Sequence, residues 1–176
     1  MECVLNNYRK LLIIVLAVVL VTGTLLGFKR KKVELINPDE IITLNEASEI
    51  AQGYTLKQGE VKKTGNKLSV IYNADPLGSG DNIQIELVYY SDEYPRSSVE
   101  ELFKSEHQKL MVYEEVSDMG EQAFISFPSI HIYEKGFYLK ITGGSGNDTT
   151  QASVLKSLGQ VAMKNMNKYI SSKRLK

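Results

Sequence analysis

The sequence predicts an α+β domain behind an N-terminal transmembrane helix. Three observations carry this. One is an uncharged apolar run from Leu11 to Phe28; the others are period-two alternation grouped in two blocks and amphipathic helical patterns that lead and close those blocks. The run spans roughly 27 Å as a helix, close to a hydrocarbon core of about 30 Å. Tyr8 and Phe28 sit where interfacial aromatics are favoured, and Lys10 and Lys29 can reach the headgroups. A buried core helix and a cleaved secretory signal are the alternatives. The signal has an n-region in Arg9 and Lys10 and small residues at Val21-Thr22-Gly23, but Leu25, Leu26 and Phe28 prolong the apolar run past that point. A retained signal-anchor is expected, without lipidation, since the only cysteine, Cys3, precedes the run.

Basic flanks alone, Arg9 and Lys10 before the span against Lys29, Arg30, Lys31 and Lys32 after it, place the C-terminal part in the cytoplasm. Long domains translocate regardless of flanking charge, and no cysteine follows Cys3, as suits an oxidising compartment. The expectation is a single-pass protein of the cell membrane with an extracytoplasmic domain. Its parts are a short segment 1–10, the span 11–28, a juxtamembrane linker 29–40, the domain 41–172 and a basic tail 173–176. The formal net charge is zero, yet from Val33 onward 15 basic residues face 20 acidic ones. That surplus disfavours nucleic acid as a partner. The segment Thr149 to Lys176 is the exception, with six basic residues and no acid.

The expected element order is αβββ-αβββ-α, with about six antiparallel strands packed by helices. Thr43 and Glu46 have capping-box spacing, with Leu44, Ala47, Ile50 and Ala51 on one side and Gly53 as a stop. A Gly65-Asn66 turn divides two strand-like runs, and Leu68, Val70 and Tyr72 alternate in the second. After the loop Asp75–Asp81, Ile83, Ile85, Leu87 and Tyr89 alternate in a half-buried strand. In the second block Ser98 and Glu101 form a second capping-box pattern, ahead of Val99, Leu102, Phe103, Glu106 and Leu110 at helical spacing. Met111–Val116 reads as a strand, followed by a turn. Two further runs are separated by Pro128, which marks a bend or an edge. Ile130 and Ile132 face one side of a hairpin with Phe137, Leu139 and Ile141. A glycine-rich loop with Asp148 and Gln151 at capping spacing leads to a last helix with the stripe Leu155, Leu158, Ala162, Met166 and Tyr169.

Ala51, Gly53, Tyr72, Gly120, Ala123 and the strand Phe137–Thr142 carry a resemblance covering about Ile41 to Ile170. The chain resembles extracytoplasmic bacterial sensor-like and lipoprotein domains related to the extracellular sensor of mycobacterial serine/threonine kinases. More distantly it is similar to PsbP-like α/β/α domains. The resemblance implies an outward-facing, non-catalytic binding or sensing role in the bacterial envelope. The kinase sensor carries disulfides and this domain has no cysteine, so no ligand site and no catalytic residue is carried over.

Chemical motifs are sparse. His107 on a helix and His131 in a strand lack metal-ligand spacing, so no metal or cofactor is expected. The acid pairs Asp92-Glu93 and Glu114-Glu115 are adjacent, a spacing that suits solvated charge better than acid/base catalysis. The glycines before the last helix lack the lysine of a phosphate loop. One constellation stands out: His131, Tyr133, Tyr138 and Lys140 converge on the hairpin face opposite its aliphatic residues. Polar-tipped aromatics suit a binding face; a helix covering the same face is the competing reading. The expected function is therefore an anchored, non-enzymatic module that binds an envelope protein or a small ligand. A cytoplasm-facing tethered adaptor and an envelope enzyme are the alternatives.

Overall fold

The computed structural model describes residues 35–51, 55–75, 82–143 and 149–174. Leu35 to Lys176 form one compact unit. The elements run α1 (Pro38–Ile41), α2 (Leu44–Ile50), β1 (Thr55–Gln58), β2 (Lys62–Thr64), β3 (Lys67–Asp75), β4 (Ile83–Tyr89), α3 (Arg96–Gln108), β5 (Glu114–Glu115), β6 (Gln122–Ser126), β7 (Ser129–Glu134), β8 (Phe137–Thr142) and α4 (Thr149–Arg174). The strands form one eight-stranded antiparallel sheet ordered β1-β3-β4-β8-β7-β6-β5, with β2 also on β3. The expectation of about six strands in the order αβββ-αβββ-α is thus corrected to eight strands in the order ααββββ-αββββ-α. Two causes account for the difference. The run before Gly65 breaks into β1 and β2, because Gly59 donates its N–H to the Ile71 carbonyl and passes so close that a Cβ would lie 2.8 Å from that oxygen. The turn at Phe127-Pro128 divides β6 from β7, and Pro128 therefore lies inside a hairpin, not on an edge.

The apolar run Leu11–Phe28 and its basic flanks lie outside the described residues, as do the loop 76–81, Gly53, Asp148 and the tail's last two residues. Among the described residues no helix is long and apolar enough to cross a membrane. The longest, α4, spends its apolar stripe on the sheet: Leu155, Leu158 and Ala162 are fully buried and Met166 nearly so. The transmembrane architecture, the single-pass placement, the extracytoplasmic address and the membrane partnership are corrected accordingly; nothing in the described structure supports them.

Each face of the sheet has its own helices. On one, α4, α1 and α2 cover Leu68, Val70, Tyr72, Ile83, Ile85, Leu87, Leu139 and Ile141. On the other, α3 lays Val99 and Phe103 on Val88, Phe124, Tyr133 and Tyr138. Because α2 and α3 take opposite faces, the two blocks are not copies of one unit. Thr43 and Glu46 close the capping box on α2 that the sequence predicts. The Asn165 amide donates to Glu46 and to the Ile41 carbonyl, fastening that helix start to α4. Burial alone would raise the Glu46 carboxyl; the Thr43 backbone N–H and Asn165 outweigh it and hold it below the usual range. The Tyr72 hydroxyl donates to the Ile42 carbonyl and seats the α1–α2 junction on β3.

Helix α3 departs from expectation at its start. It begins at Arg96 behind Pro95, with no side-chain cap, so Ser98 lies inside the first turn and the Ser98-Glu101 box does not form. Pro95 fixes the extended entry, and its carbonyl accepts the Ser98 N–H. The strand expected over Met111–Val116 shortens to Glu114–Glu115, leaving Met111 98% and Val112 83% exposed.

Leu158→Ala should destabilise the protein by about 2–5 kcal/mol, since it opens a cavity in a fully buried site between α4 and the sheet. Urea unfolding followed by circular dichroism measures this, and a loss below 1 kcal/mol would mean that the helix does not close the core.

Candidate functional site

The four residues that the sequence singles out do meet on one face. Paired registers run Phe124, His131, Lys140 and Glu86 in one row and Gln122, Tyr133, Tyr138 and Val88 in the next. His131, Tyr133 and Tyr138 are buried and Lys140 is half-buried. Helix α3 covers this part of the sheet, so these side chains form a second small core instead of an open surface. His131 Nδ1 and the Tyr138 hydroxyl share a 2.7 Å hydrogen bond. The His131 ring stacks on Phe124 at 4.5 Å, and Phe124 in turn meets Phe103 and His107.

Burial, with Lys140 adding to it, pulls the His131 imidazole down to about 4 from its ordinary 6.5. Burial pushes the Tyr138 phenol well up. Both rings are therefore neutral over the physiological range, as a hydrogen-bonded pair in a dry layer requires.

Solvent reaches this aromatic layer at its rim. A cavity of about 310 Å³ opens between α3 and the β5–β6 end of the sheet, with Phe103, His107 and Phe124 among its walls and Glu115, Glu121 and Gln122 at its polar side. His107 follows Val99 and Phe103 at successive intervals of four, which puts all three on the sheet-facing side of α3. Its ring meets Tyr113 at 4.2 Å and Phe124 at 4.7 Å. His107 Nε2 is 3.3 Å from Glu115 Oε1, close enough for charge attraction, but it is buried and makes no hydrogen bond among the described residues. The carboxylates are placed by the turn between β5 and β6. There Gly120 has φ +69°, and a Cβ on it would come 2.7 Å from the Tyr133 carbonyl oxygen. That carbonyl accepts the Glu121 N–H at 2.9 Å, and Val116 donates to Ala123 across the turn. Arg96 bridges Glu121 at 3.1 Å and Lys156 bridges Glu114 at 2.7 Å.

Beyond the cavity lies an apolar strip. Met111, Val112, Tyr113 and Phe127 account for four of the five large exposed hydrophobic side chains among the described residues. The Ser126 hydroxyl donates to the Val112 carbonyl and holds the strip beside the sheet edge. Sequence reasoning missed this whole corner, although the four-residue spacing of Val99, Phe103 and His107 was the available signal. No cluster of histidine, cysteine and carboxylates suited to a metal ion occurs among the described residues.

Comparison with family models, with curated proteins and with solved structures returns no match for this chain.

The His131 environment makes stability depend on pH with a definite sign. Between pH 6.5 and about 4 the unfolded chain binds a proton that the folded chain refuses, so this contribution is complete above 6.5 and is lost as pH falls toward 4. The loss amounts to roughly 3 kcal/mol. Urea titrations across this range should show it, and His131→Gln should flatten the curve there; an unchanged slope in the variant would assign the acid sensitivity elsewhere.

Proposed function

We propose that this domain is a protein-interaction module that captures a basic, extended polypeptide at the acidic end of its sheet. The reading is of binding, not chemistry. Its main support is one juxtaposition: a cavity with aromatic walls and two carboxylates at its mouth opens beside an exposed apolar strip. A lysine or arginine has a cationic head and an apolar stem, and both parts find a counterpart here. The head meets Glu115 and Glu121, while the stem and the cation's own field meet the faces of Phe103 and Phe124. A small amine would use the cavity alone and leave Met111, Val112 and Tyr113 bare, which favours a polypeptide. The outer side of β5 also suits an extended chain: among the described strands β5 pairs only with β6, and an edge of this kind can accept a strand.

The reading is tested by titrating a fluorescent peptide of alternating lysine and valine into the protein, with a glutamate-valine peptide as control. Binding of the lysine peptide alone, weakened by salt, is expected. Glu115→Gln should reduce affinity about 1.5- to 5-fold, in line with roughly 0.2–1 kcal/mol for an exposed ion pair. Equal binding of both peptides, or indifference to a Glu115→Gln/Glu121→Gln double variant, would overturn the reading.

A further inference from the structure

The far end of the same sheet has the chemistry that the acidic end calls for. There β1 and β2 pair one after the other along the outer side of β3. The exposed residues of this edge include Lys57, Lys62 and Lys63 against one acid, Glu60. At the opposite edge are Glu114 and Glu115, with Asp118 and Glu121 in the adjoining turn. Lys156 and Arg96 offset part of that charge, and the acids stay in excess. Lysines on an edge strand are by themselves an ordinary guard against pairing of like edges. When the opposite edge is acidic, the same lysines repel a copy that presents its basic edge and attract one that presents its acidic edge.

The register sharpens this. One row crosses the sheet on the α3 face as Lys62, Ser69, Glu86, Lys140, His131, Phe124 and Glu115. On the α4 face Lys63 stands opposite Leu68 and Glu114 opposite Ile125. Each edge therefore shows charge of its own sign on both faces. Two copies displaced along the sheet direction bring Lys62 into the row of Glu115 on the α3 face, while Lys63 falls in the row of Val116 and adds its charge on the α4 face, two residues along from Glu114. The large exposed hydrophobics divide between the same two ends, with Val61 beside the lysines and Met111, Val112, Tyr113 and Phe127 beside the acids.

We propose that the partner captured at the acidic β5 edge is the basic β1–β2 edge of a second copy of this chain. The proposal rests on the reading of the acidic end as a site for basic polypeptide. Such a contact joins two different surfaces, so it leaves a free edge at each end of every pair and continues past the dimer unless the rotation between copies closes a ring. It weakens with salt, because its charges are exposed.

Sedimentation velocity of the full chain, over a range of concentrations and at low and high salt, tests it. The weight-average mass should rise with concentration and fall with salt. Lys62→Glu/Lys63→Glu and Glu114→Lys/Glu115→Lys should each sediment as monomer, and an equimolar mixture of the two should associate again. Circular dichroism melts confirm folding; for a variant that does not fold, Lys62→Gln or Glu115→Gln takes its place, with weakened association expected. A wild-type monomer at every concentration, association that none of these changes affects, or a mixture that stays monomeric would overturn the proposal. The lysine peptide separates the two readings. A monomeric protein that binds the peptide retains the acidic site and loses the self-contact, whereas salt-sensitive association without peptide binding restricts the site to a folded edge.

Discussion

The pairing of β4 with β8 is the interaction on which the domain depends. It joins strands from the two halves of the chain in a single antiparallel register, Ile85 opposite Ile141 and Leu87 opposite Leu139. A slip of one residue would turn those side chains onto the other face, beneath α3 and away from α4. Every later assignment follows from this register. It determines which face is aliphatic and accepts α4, which carries the aromatic and histidine layer, and which strands are left as edges.

The two faces are covered unequally. Helix α4, together with α1 and α2, spreads over the aliphatic face, whereas α3 is half as long as α4 and reaches only part of the other. Under α3 the sheet presents rings; beside it, Lys67, Gln84 and Glu86 stay half-buried and bond to one another. The cavity lies where α3 runs out against the short β5. A polar corner with aromatic walls is what remains when a helix covers a sheet up to its last strand and no farther.

How much of this was legible follows from where the constraint is local. Alternation from Ile83 to Tyr89 and from Phe137 to Ile141 identifies the central strands, because one of their faces is wholly aliphatic. The stripe on α4 is equally plain. The edges are not: Lys57, Lys62, Glu114 and Glu115 are exposed, so nothing in the core constrains their pattern, while Met111-Val112-Tyr113 has strand composition without strand pairing. The grouping of His131, Tyr133, Tyr138 and Lys140 is a period-two statement and could be read directly. That α3 would cover them could not, since helix docking joins residues distant in the chain. His107 was hidden for the same reason, as only its contact with Phe124 distinguishes it from any other polar helical residue.

The position of α4 as the last described element sets an order on the domain's birth. While the ribosome is still making residues 149–174, the strands ahead of them present Ile85, Leu87, Leu139 and Ile141 as an aliphatic plane that α1 and α2 cover only in part. At about 5–20 residues per second, that plane waits a second or more for Leu155 and Leu158, longer than an isolated hairpin needs to form. The nascent chain therefore passes through a stage in which the sheet can pair but lacks the largest part of its cover.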